Sequence, residues 1–154
     1  MMVDVREVPA DAFIKHLANY LKSNVPAVKP PSWAMYVKTG HFKSGVPENP
    51  DWWYIRAASI LRKLYLSGVP VGVGTFRVVY GGLKRRGSAP PHFKKAAASH
   101  IRHILQQLEA AGYVTKVRGK GRTLTPKGTS LLARIANEVF QESVKLIPEL
   151  AKYG

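Results

Sequence analysis

The sequence predicts a mainly α-helical protein of about five helices with one short β-hairpin. Two observations lead to this fold class. Apolar residues recur at helical spacing in several segments, and two β-prone runs flank a basic tip that contains glycine. The chain has 154 residues, of which 45% are hydrophobic, which is enough to enclose one core. Shared apolar stripes and short spacers predict a single domain over residues 1–154.

Amphipathic spacing places the helices along the chain. In the first helix, at about 10–23, Phe13, Leu17 and Leu21 repeat every four residues while polar residues cover the other side. The further predicted helices cover 33–39, about 52–66, 99–111 with an alternative start at 93, and a last segment from 126 to beyond 144.

Capping residues mark several helix ends in the sequence. Ser32, Asp51 and Ser99 are predicted N-caps, and Gly112 is predicted to end the fourth helix. Thr125 is also a predicted N-cap, because the proline that follows it is a residue type favoured at the first position of a helix.

Two segments are predicted to be non-helical. Residues 41–50 contain two prolines and are expected to form a loop. Residues 71–80 are expected to form a turn followed by a short strand or extended segment. The spacing of Gly72 and Gly74 lacks the third glycine of a dinucleotide-binding loop, so no nucleotide-binding loop is predicted.

From residue 99 onward the elements follow the order typical of a winged helix. A helix ending in Leu-Glu-x-x-Gly-Tyr-Val precedes a basic hairpin, and Leu-Thr-Pro-x-Gly opens the next helix. In such folds one helix is presented to nucleic acid, and the hairpin, called the wing, contacts the adjacent groove or backbone. We therefore predict a winged-helix-like core that presents the helix at 99–111 and carries Arg118, Lys120 and Arg122 at the wing tip.

Positive charge dominates the middle of the chain. Lys and Arg number 24 against 9 Asp and Glu, which gives a formal net charge of +15. Between Trp52 and Asn137 the only acidic residue is Glu109, whereas the same stretch contains 16 Lys and Arg. This distribution predicts a polyanionic partner that is bound by the middle of the chain.

The most basic run covers residues 80–95 and contains five Lys or Arg, one His and no acidic residue. Its three glycines and two prolines argue against a regular helix or strand. We therefore expect an irregular loop whose missing counter-charge is a nucleic-acid phosphate backbone.

A second basic surface is expected on the helix at 52–66, where Trp52, Arg56, Ser59 and Lys63 share one stripe. The tryptophan either stacks on a base or packs within the protein. The full set of predicted RNA-binding residues is Trp52, Arg56, Arg62, Lys63, Arg77, Lys84, Arg85, Arg86, His92, Lys94, Lys95, Arg102, Arg118, Lys120 and Arg122.

Catalytic and metal chemistry has little support in the residue types. The chain has no cysteine, which excludes disulfides, thiolate metal sites and cysteine nucleophiles. His100 and His103 are expected to face outward on the helix at 99–111, with a spacing that suits two metal ligands, but no third ligand is evident. A nuclease would need clustered carboxylates or a His–acid pair, and the basic middle supplies neither. We expect no metal, no cofactor and no enzymatic activity.

No targeting or membrane segment is expected. The N-terminal residues lack a basic region followed by an apolar run, and the apolar stretch at 69–80 is interrupted by proline, glycine and arginine. The predicted location is the cytoplasm, with no membrane partner.

Four motifs, in order along the chain, resemble one known family. They are Trp52-Trp53-Tyr54-Ile55-Arg56-Ala57-Ala58-Ser59, Tyr80-Gly81-Gly82, Pro91-His92-Phe93 and Leu124-Thr125-Pro126-Lys127-Gly128. From the first helix to about residue 140, the chain resembles the "S-nineteen-e" family of archaeal and eukaryotic small-subunit ribosomal proteins. The resemblance implies a mostly α-helical, winged-helix-like protein in the head of the small subunit, where it binds ribosomal RNA and is needed for late subunit maturation.

The resemblance also implies partners and a binding surface. The partners are small-subunit ribosomal RNA (rRNA) and neighbouring small-subunit ribosomal proteins, and we expect a monomer outside the ribosome. The expected RNA surface of the family is its basic third helix and the Tyr-Gly-Gly loop. The matching residues of this chain are Arg56, Arg62, Arg85, Arg86 and His92.

A regulator that binds duplex DNA is the alternative class at this point. A winged-helix core permits this function. Against it, the positive charge extends beyond the presented helix and the wing, and no dimerisation helix is evident in the sequence.

Overall fold

The computed structural model describes residues 4–35, 51–86 and 89–146, and of these it describes residues 35, 83–86, 89, 91, 92 and 146 by their backbone alone. The elements are α1 (Ala10–Asn24), α2 (Trp52–Ser67), α3 (Val73–Val79), β1 (Gly82–Arg86), β2 (Ala89–Lys94), α4 (Ala98–Ala111), β3 (Val114–Val117), β4 (Gly121–Leu124) and α5 (Pro126–Leu146). Short 3-10 helices lie at Val5–Glu7 and Ser32–Met35. The mainly α-helical fold class with a winged-helix-like core is confirmed.

The core lies where α1, α2, α4 and α5 pack together. Its largest fully buried side chains include Phe13, Leu17, Leu21, Trp53, Ile60, Leu61, Ile101, Ile104, Leu105, Leu108 and Leu132. These residues belong to the apolar stripes that the sequence predicts, and burying each one contributes about 1.5–3 kcal/mol. Because the stripes turn one face of each helix inward, the polar faces of α2 and α4 remain for other contacts.

Two of the predicted caps are confirmed. Gly112 ends α4. The Thr125 hydroxyl accepts a hydrogen bond from the Gly128 N–H at 3.2 Å and donates one to the Gly112 carbonyl at 2.6 Å. Thr125 therefore caps α5 and also ties its start to the end of α4.

Asp51 and Ser99 do not cap as predicted. Asp51 precedes α2, but its carboxylate makes no capping hydrogen bond and accepts one from Lys22 of α1 at 3.0 Å. Helix α4 begins at Ala98, so Ser99 lies inside its first turn.

The short helix predicted at 33–39 begins as the 3-10 helix Ser32–Met35. The rest of that predicted helix, and the loop predicted at 41–50, lie outside the described residues.

Helix α3 is a departure from the sequence prediction, which expects extended backbone at 71–80. β-branched residues favour extended structure locally. Phe76 is buried, at 1% exposure, and α3 packs against α4. Tertiary burial of this ring therefore outweighs the local preference of the segment.

The basic run at 80–95 is also different from its prediction. It forms the antiparallel hairpin β1–β2 instead of an irregular loop. The paired residues are Gly82 with Lys94, Leu83 with Phe93, Lys84 with His92, and Arg86 with Ala89. The register shifts between Lys84 and Arg86, opposite the two prolines of β2. Proline has no backbone N–H to donate, but a two-stranded ribbon tolerates it at an irregular position because no hydrogen bond between central strands of a sheet is lost.

The wing is confirmed as the antiparallel hairpin β3–β4. Val71, in the link between α2 and α3, pairs with Arg122 of β4 through two backbone hydrogen bonds of 2.9 Å. The wing is therefore attached to the α2–α3 link as well as to α4.

Candidate nucleic-acid interface

One polar face of α2 meets the residue that follows α3. The Arg56 guanidinium carbon lies 4.0 Å from the centroid of the Tyr80 ring, and the Lys63 Nζ lies 5.0 Å from it. The Ser59 Oγ and the Tyr80 hydroxyl oxygen are 2.6 Å apart, and the Lys63 Nζ donates a hydrogen bond to the Ser59 Oγ at 3.2 Å. We call Arg56, Ser59, Lys63 and Tyr80 the Tyr80 cluster.

Helix α3 holds Tyr80 in this position. The Tyr80 backbone N–H donates to the Phe76 carbonyl at 3.0 Å, and the two rings stack with centroids 6.3 Å apart. Phe76 is anchored in the core. The helix that the sequence did not predict therefore fixes the ring against which both cations lie.

Burial shifts the pKa of every ionisable group in the Tyr80 cluster. It lowers the pKa of Arg56, with a partial offset from Tyr80. It lowers the pKa of Lys63, and the nearby charges of Arg62 and Arg56 lower that pKa further. It raises the pKa of Tyr80, although the Ser59 hydrogen bond and Arg56 oppose the rise. The two cations therefore carry a desolvation cost that a bound anion would offset.

Neither Arg56 nor Lys63 forms an ion pair with a carboxylate in the part of the chain that the structure describes. A guanidinium beside an aromatic ring is held in one orientation and retains N–H groups that can donate to oxygens. Phosphate is an anion that such a fork binds with good geometry. The Tyr80 cluster therefore has the chemistry of a phosphate-binding site.

Trp52 packs within the protein. Its indole N–H donates to the Ala34 carbonyl at 3.2 Å, and its ring meets Trp53 edge-on with centroids 5.4 Å apart. Of the two roles that the sequence leaves open for this half-buried side chain, packing is the one seen in the geometry. A base contact by Trp52 stays a prediction.

His100 belongs to the same aromatic cluster, although the sequence predicts that it faces outward. It is 5% exposed, stacks on Trp33 with centroids 5.3 Å apart, and meets Trp52 edge-on at 5.4 Å. Its Nδ1 is buried with no hydrogen-bond partner among the described residues. The outward prediction fails because indole rings from α2 and from the 3-10 helix Ser32–Met35 cover that side of α4.

The buried position of His100 predicts a pH-dependent stability. Burial lowers the pKa of His100 from its ordinary value of 6.5, and Arg56 and His103 lower it further. The unfolded chain therefore binds more protons than the folded protein below about pH 6.5, so folding stability is lost as the pH falls through this range. Lowering the pKa of the folded state by one corresponds to about 1.4 kcal/mol of folding stability. We expect His100→Phe to flatten the dependence of the free energy of unfolding on pH, measured by urea denaturation between about pH 7.5 and 5.

The control for this measurement is His103→Gln, which removes a more exposed histidine of the same helix. The control variant should keep most of the wild-type pH dependence. Parallel curves for wild type and His100→Phe would show that His100 does not cause it.

Arg62 and Arg77 are half-buried. The Arg77 Nε donates to the Ala96 carbonyl at 2.8 Å, which joins α3 to the residues just before α4. The Arg62 Nε is buried and has no partner among the described residues. Each arginine can therefore offer only part of its guanidinium to a ligand, and their RNA contacts stay predictions.

The hairpin β1–β2 carries the largest group of predicted RNA-binding residues. Lys94, in β2, and Lys95, directly after it, are exposed. The structure places the backbone of four others in the paired strands: Lys84, Arg85, Arg86 and His92. Gly81 connects this hairpin to the Tyr80 cluster, so both belong to one continuous region of the chain.

The wing tip presents two of the three cations that the sequence predicts there. Arg118 and Lys120 are exposed in the turn, and Arg102 is exposed on α4. Arg122 lies in β4 instead of at the tip, and its guanidinium forms an ion pair with Glu109 of α4. The Arg122 side chain is 12% exposed, so the tip prediction is wrong for this residue.

Tyr80 is a site residue that sequence reasoning did not include. It opens the basic run and belongs to the Tyr-Gly-Gly motif, which is the feature that could have identified it. Its role depends on α3, which the sequence pattern does not predict.

The described ranges 4–35, 51–86 and 89–146 contain neither a candidate metal site nor a membrane-spanning helix. Within them no three His, Asp or Glu side chains are grouped so that they could hold a metal ion. No helix in the same ranges is long and apolar enough to cross a lipid bilayer.

The fold and the surface define a class of protein: basic and mainly α-helical, with a winged-helix-like core and a cationic cluster that has no acidic partner among the described residues. The sequence profile of one family, described as "Ribosomal protein S19e", matches residues 4–142. The chain belongs to this family, which confirms the resemblance seen in the four sequence motifs.

Individual relatives agree along nearly the whole chain. The chain is similar to a protein named "Small ribosomal subunit protein eS19" from Aeropyrum pernix, with 57% identity over 152 residues and 99% of each chain covered. Proteins of the same name from Mya arenaria and Thermoplasma acidophilum are 42% and 40% identical. The alignments cover 97% and 99% of this chain, respectively, and 99% of each relative.

Proposed function

We propose that this protein is a structural constituent of the small ribosomal subunit, where it binds small-subunit rRNA and supports late subunit maturation. Family membership and the names of the relatives support the ribosomal assignment. The observation that carries the rRNA-binding part is the Tyr80 cluster, in which Arg56 and Lys63 are partly desolvated without an acidic partner among the described residues.

An RNA phosphate would supply the missing charge in the Tyr80 cluster. The Arg56 guanidinium already contacts the Tyr80 ring, 4.0 Å from its centroid, so little side-chain entropy is lost when a phosphate arrives. Further exposed cations lie on the hairpin β1–β2 and directly after it, on α4 and on the wing: Lys94, Lys95, Arg102, Arg118 and Lys120. Such a spread of phosphate contacts positions a protein on folded RNA.

The proposal includes the remaining predicted properties. The protein acts without a cofactor and without catalysis, resides on cytoplasmic ribosomes, and contacts neighbouring small-subunit proteins. Outside the ribosome it is a monomer. Trp52, Arg62, Arg77, His92 and the Lys and Arg residues of β1 and β2 are further RNA contacts in this proposal, whereas Arg122 is paired with Glu109.

Sedimentation of a cell extract through a sucrose gradient tests the proposed function. We expect the protein to co-migrate with small subunits and to stay with them in salt that removes loosely bound basic proteins. Recovery with chromosomal DNA would instead favour the DNA-binding regulator. Recovery only at the top of the gradient would contradict the ribosomal assignment.

A further inference from the structure

Phe93 is an aromatic side chain that the protein leaves exposed on its most basic hairpin. It lies in β2 and is 51% exposed. The other large apolar side chains that are strongly exposed in the described part of the chain are valines: Val69, Val78 and Val79. The tyrosine and tryptophan rings of the candidate interface, in contrast, are packed against other groups.

The ring of Phe93 is supported by backbone on one side. A Cβ atom at Gly81 would lie 2.7 Å from the Phe93 Cζ, 2.6 Å from the Lys94 carbonyl oxygen and 3.0 Å from the Arg77 carbonyl oxygen. Only glycine leaves room for the ring to rest on the backbone between Tyr80 and β1. The ring is therefore held in place without being buried, against the residue that follows Tyr80 in the chain.

The surroundings of Phe93 are cationic. Lys94 and Lys95 follow it in the chain, and both are exposed. The segment 52–108, which forms α2, α3, β1, β2 and most of α4, contains no Asp or Glu. An exposed apolar ring surrounded by positive charge favours a ligand that has a flat apolar group with a negative charge beside that group.

We propose that Phe93 stacks on an unpaired RNA base while the neighbouring lysines and the Tyr80 cluster hold the flanking phosphates. The inference rests on the proposed function and specifies its RNA partner further: the bound rRNA element presents at least one unstacked nucleotide at this position. Aromatic stacking is the usual way in which proteins bind splayed-out bases of single-stranded loops and bulges. A second copy of this chain is a poor occupant, since two surfaces of the same positive charge repel each other.

Two substitutions at Phe93 and two RNA probes test the inference. Phe93→Leu keeps an apolar side chain but removes the ring, and Phe93→Tyr keeps the ring. The probes are in vitro transcribed small-subunit rRNA and a fully paired RNA duplex of about 20 base pairs. We expect Phe93→Leu to weaken binding to the rRNA roughly 5- to 150-fold, to leave duplex binding unchanged, and Phe93→Tyr to restore rRNA binding.

The salt dependence separates stacking from an indirect effect on the lysines. Stacking involves no phosphate, so Phe93→Leu should lower the rRNA affinity equally at each salt concentration and leave the slope of log affinity against log salt unchanged. A smaller slope, or an equal loss on the duplex, would overturn the inference by showing that Phe93 only positions cations. Val69→Ala, at an exposed apolar residue outside both strands, is the control and should bind as the wild type does.

The outcomes also distinguish this inference from the function on which it rests. If the wild-type protein binds the rRNA and Phe93→Leu binds it equally well, the inference is wrong and the proposed function stands. Wild-type affinity of Phe93→Leu together with reduced incorporation into subunits would also overturn the inference, and would assign Phe93 to a protein neighbour. If the wild-type protein does not bind the rRNA above its binding to the duplex, the proposed rRNA binding itself fails.

Discussion

Replacing Arg56 and Lys63 together by methionine is expected to weaken binding to small-subunit rRNA by about 100-fold or more. Methionine keeps an apolar stem against Tyr80 and removes the charge, so the loss reports on the ligand more than on packing. A hydrogen bond to a charged group contributes about 1.5–3 kcal/mol, and two of them are removed. The affinity is to be measured by filter binding over a series of salt concentrations.

The salt series gives the more specific result. Each lost phosphate contact should reduce the slope of log affinity against log salt by about 0.7–0.9, so the double variant should lose about twice that amount. An unchanged slope would mean that these cations do not neutralise phosphates.

A matched control exists on α5. Arg134 lies 4.8 Å from the ring centroid of Tyr20, and Lys127 lies 5.1 Å from that of Tyr113. Replacing this arginine and this lysine by methionine removes the same net charge and the same kinds of cation–aromatic contact. An equal loss of affinity in both double variants would indicate a general charge effect and would contradict a specific role for the Tyr80 cluster.

Replacing Gly121 by alanine is expected to destabilise the protein by about 3–5 kcal/mol. Its φ of +112° is unfavourable for an L side chain, and a Cβ there would overlap the backbone of Val71 and Gly72. Positive-φ strain and overpacking each cost about 1–3 kcal/mol. Backbone atoms cannot move aside as a flexible side chain can, so the two hydrogen bonds between Val71 and Arg122 should be disrupted. The free energy of unfolding from urea denaturation measures the loss.

Gly119, in the turn of the same wing, is the control for this substitution. Its φ is +75°, but a Cβ there meets no atom within 4 Å. Gly119→Ala should therefore cost only the local strain, about 1–2 kcal/mol. Similar losses for the two variants would show that the contact of β4 with the α2–α3 link contributes little to stability.

The sequence predicts most helices well because their information is local. Phe13, Leu17 and Leu21 repeat at the period of a helix, and all three are buried in α1. The wing follows from two β-prone runs around a glycine-containing turn, and its pairing is observed. In each of these elements propensity, periodicity and burial favour the same structure.

The segments 71–80 and 80–95 are predicted wrongly because their structure depends on core packing in one case and on an irregular strand register in the other. Helix α3 forms around the burial of Phe76 against the core, which overrides the extended preference of its β-branched residues. The hairpin β1–β2 forms although its composition is rich in glycine and proline, since the irregular register accommodates the prolines. Neither effect is visible in the spacing of residues along the chain.

For the candidate interface, the sequence shows which residues are cationic, but it does not show which of them are free of contacts within the protein. The cations at Arg56, Lys63, Arg118 and Lys120 are evident in the sequence as candidates for RNA binding. Their availability is a tertiary property, as Arg122 shows: it has the same side chain as Arg118, but it lies beside Glu109 and is already neutralised.

The sequence by itself determined the family, the helical fold class and the positive charge of the middle of the chain, because motifs, periodicity and composition are properties of the chain alone. Only the tertiary structure decided which of the described cations have no acidic partner among the described residues, that His100 is enclosed by indole rings, and that Tyr80 packs against α2. These features depend on contacts between residues distant in sequence, such as Ser59 with Tyr80, which form only when α2, α3 and α4 pack together.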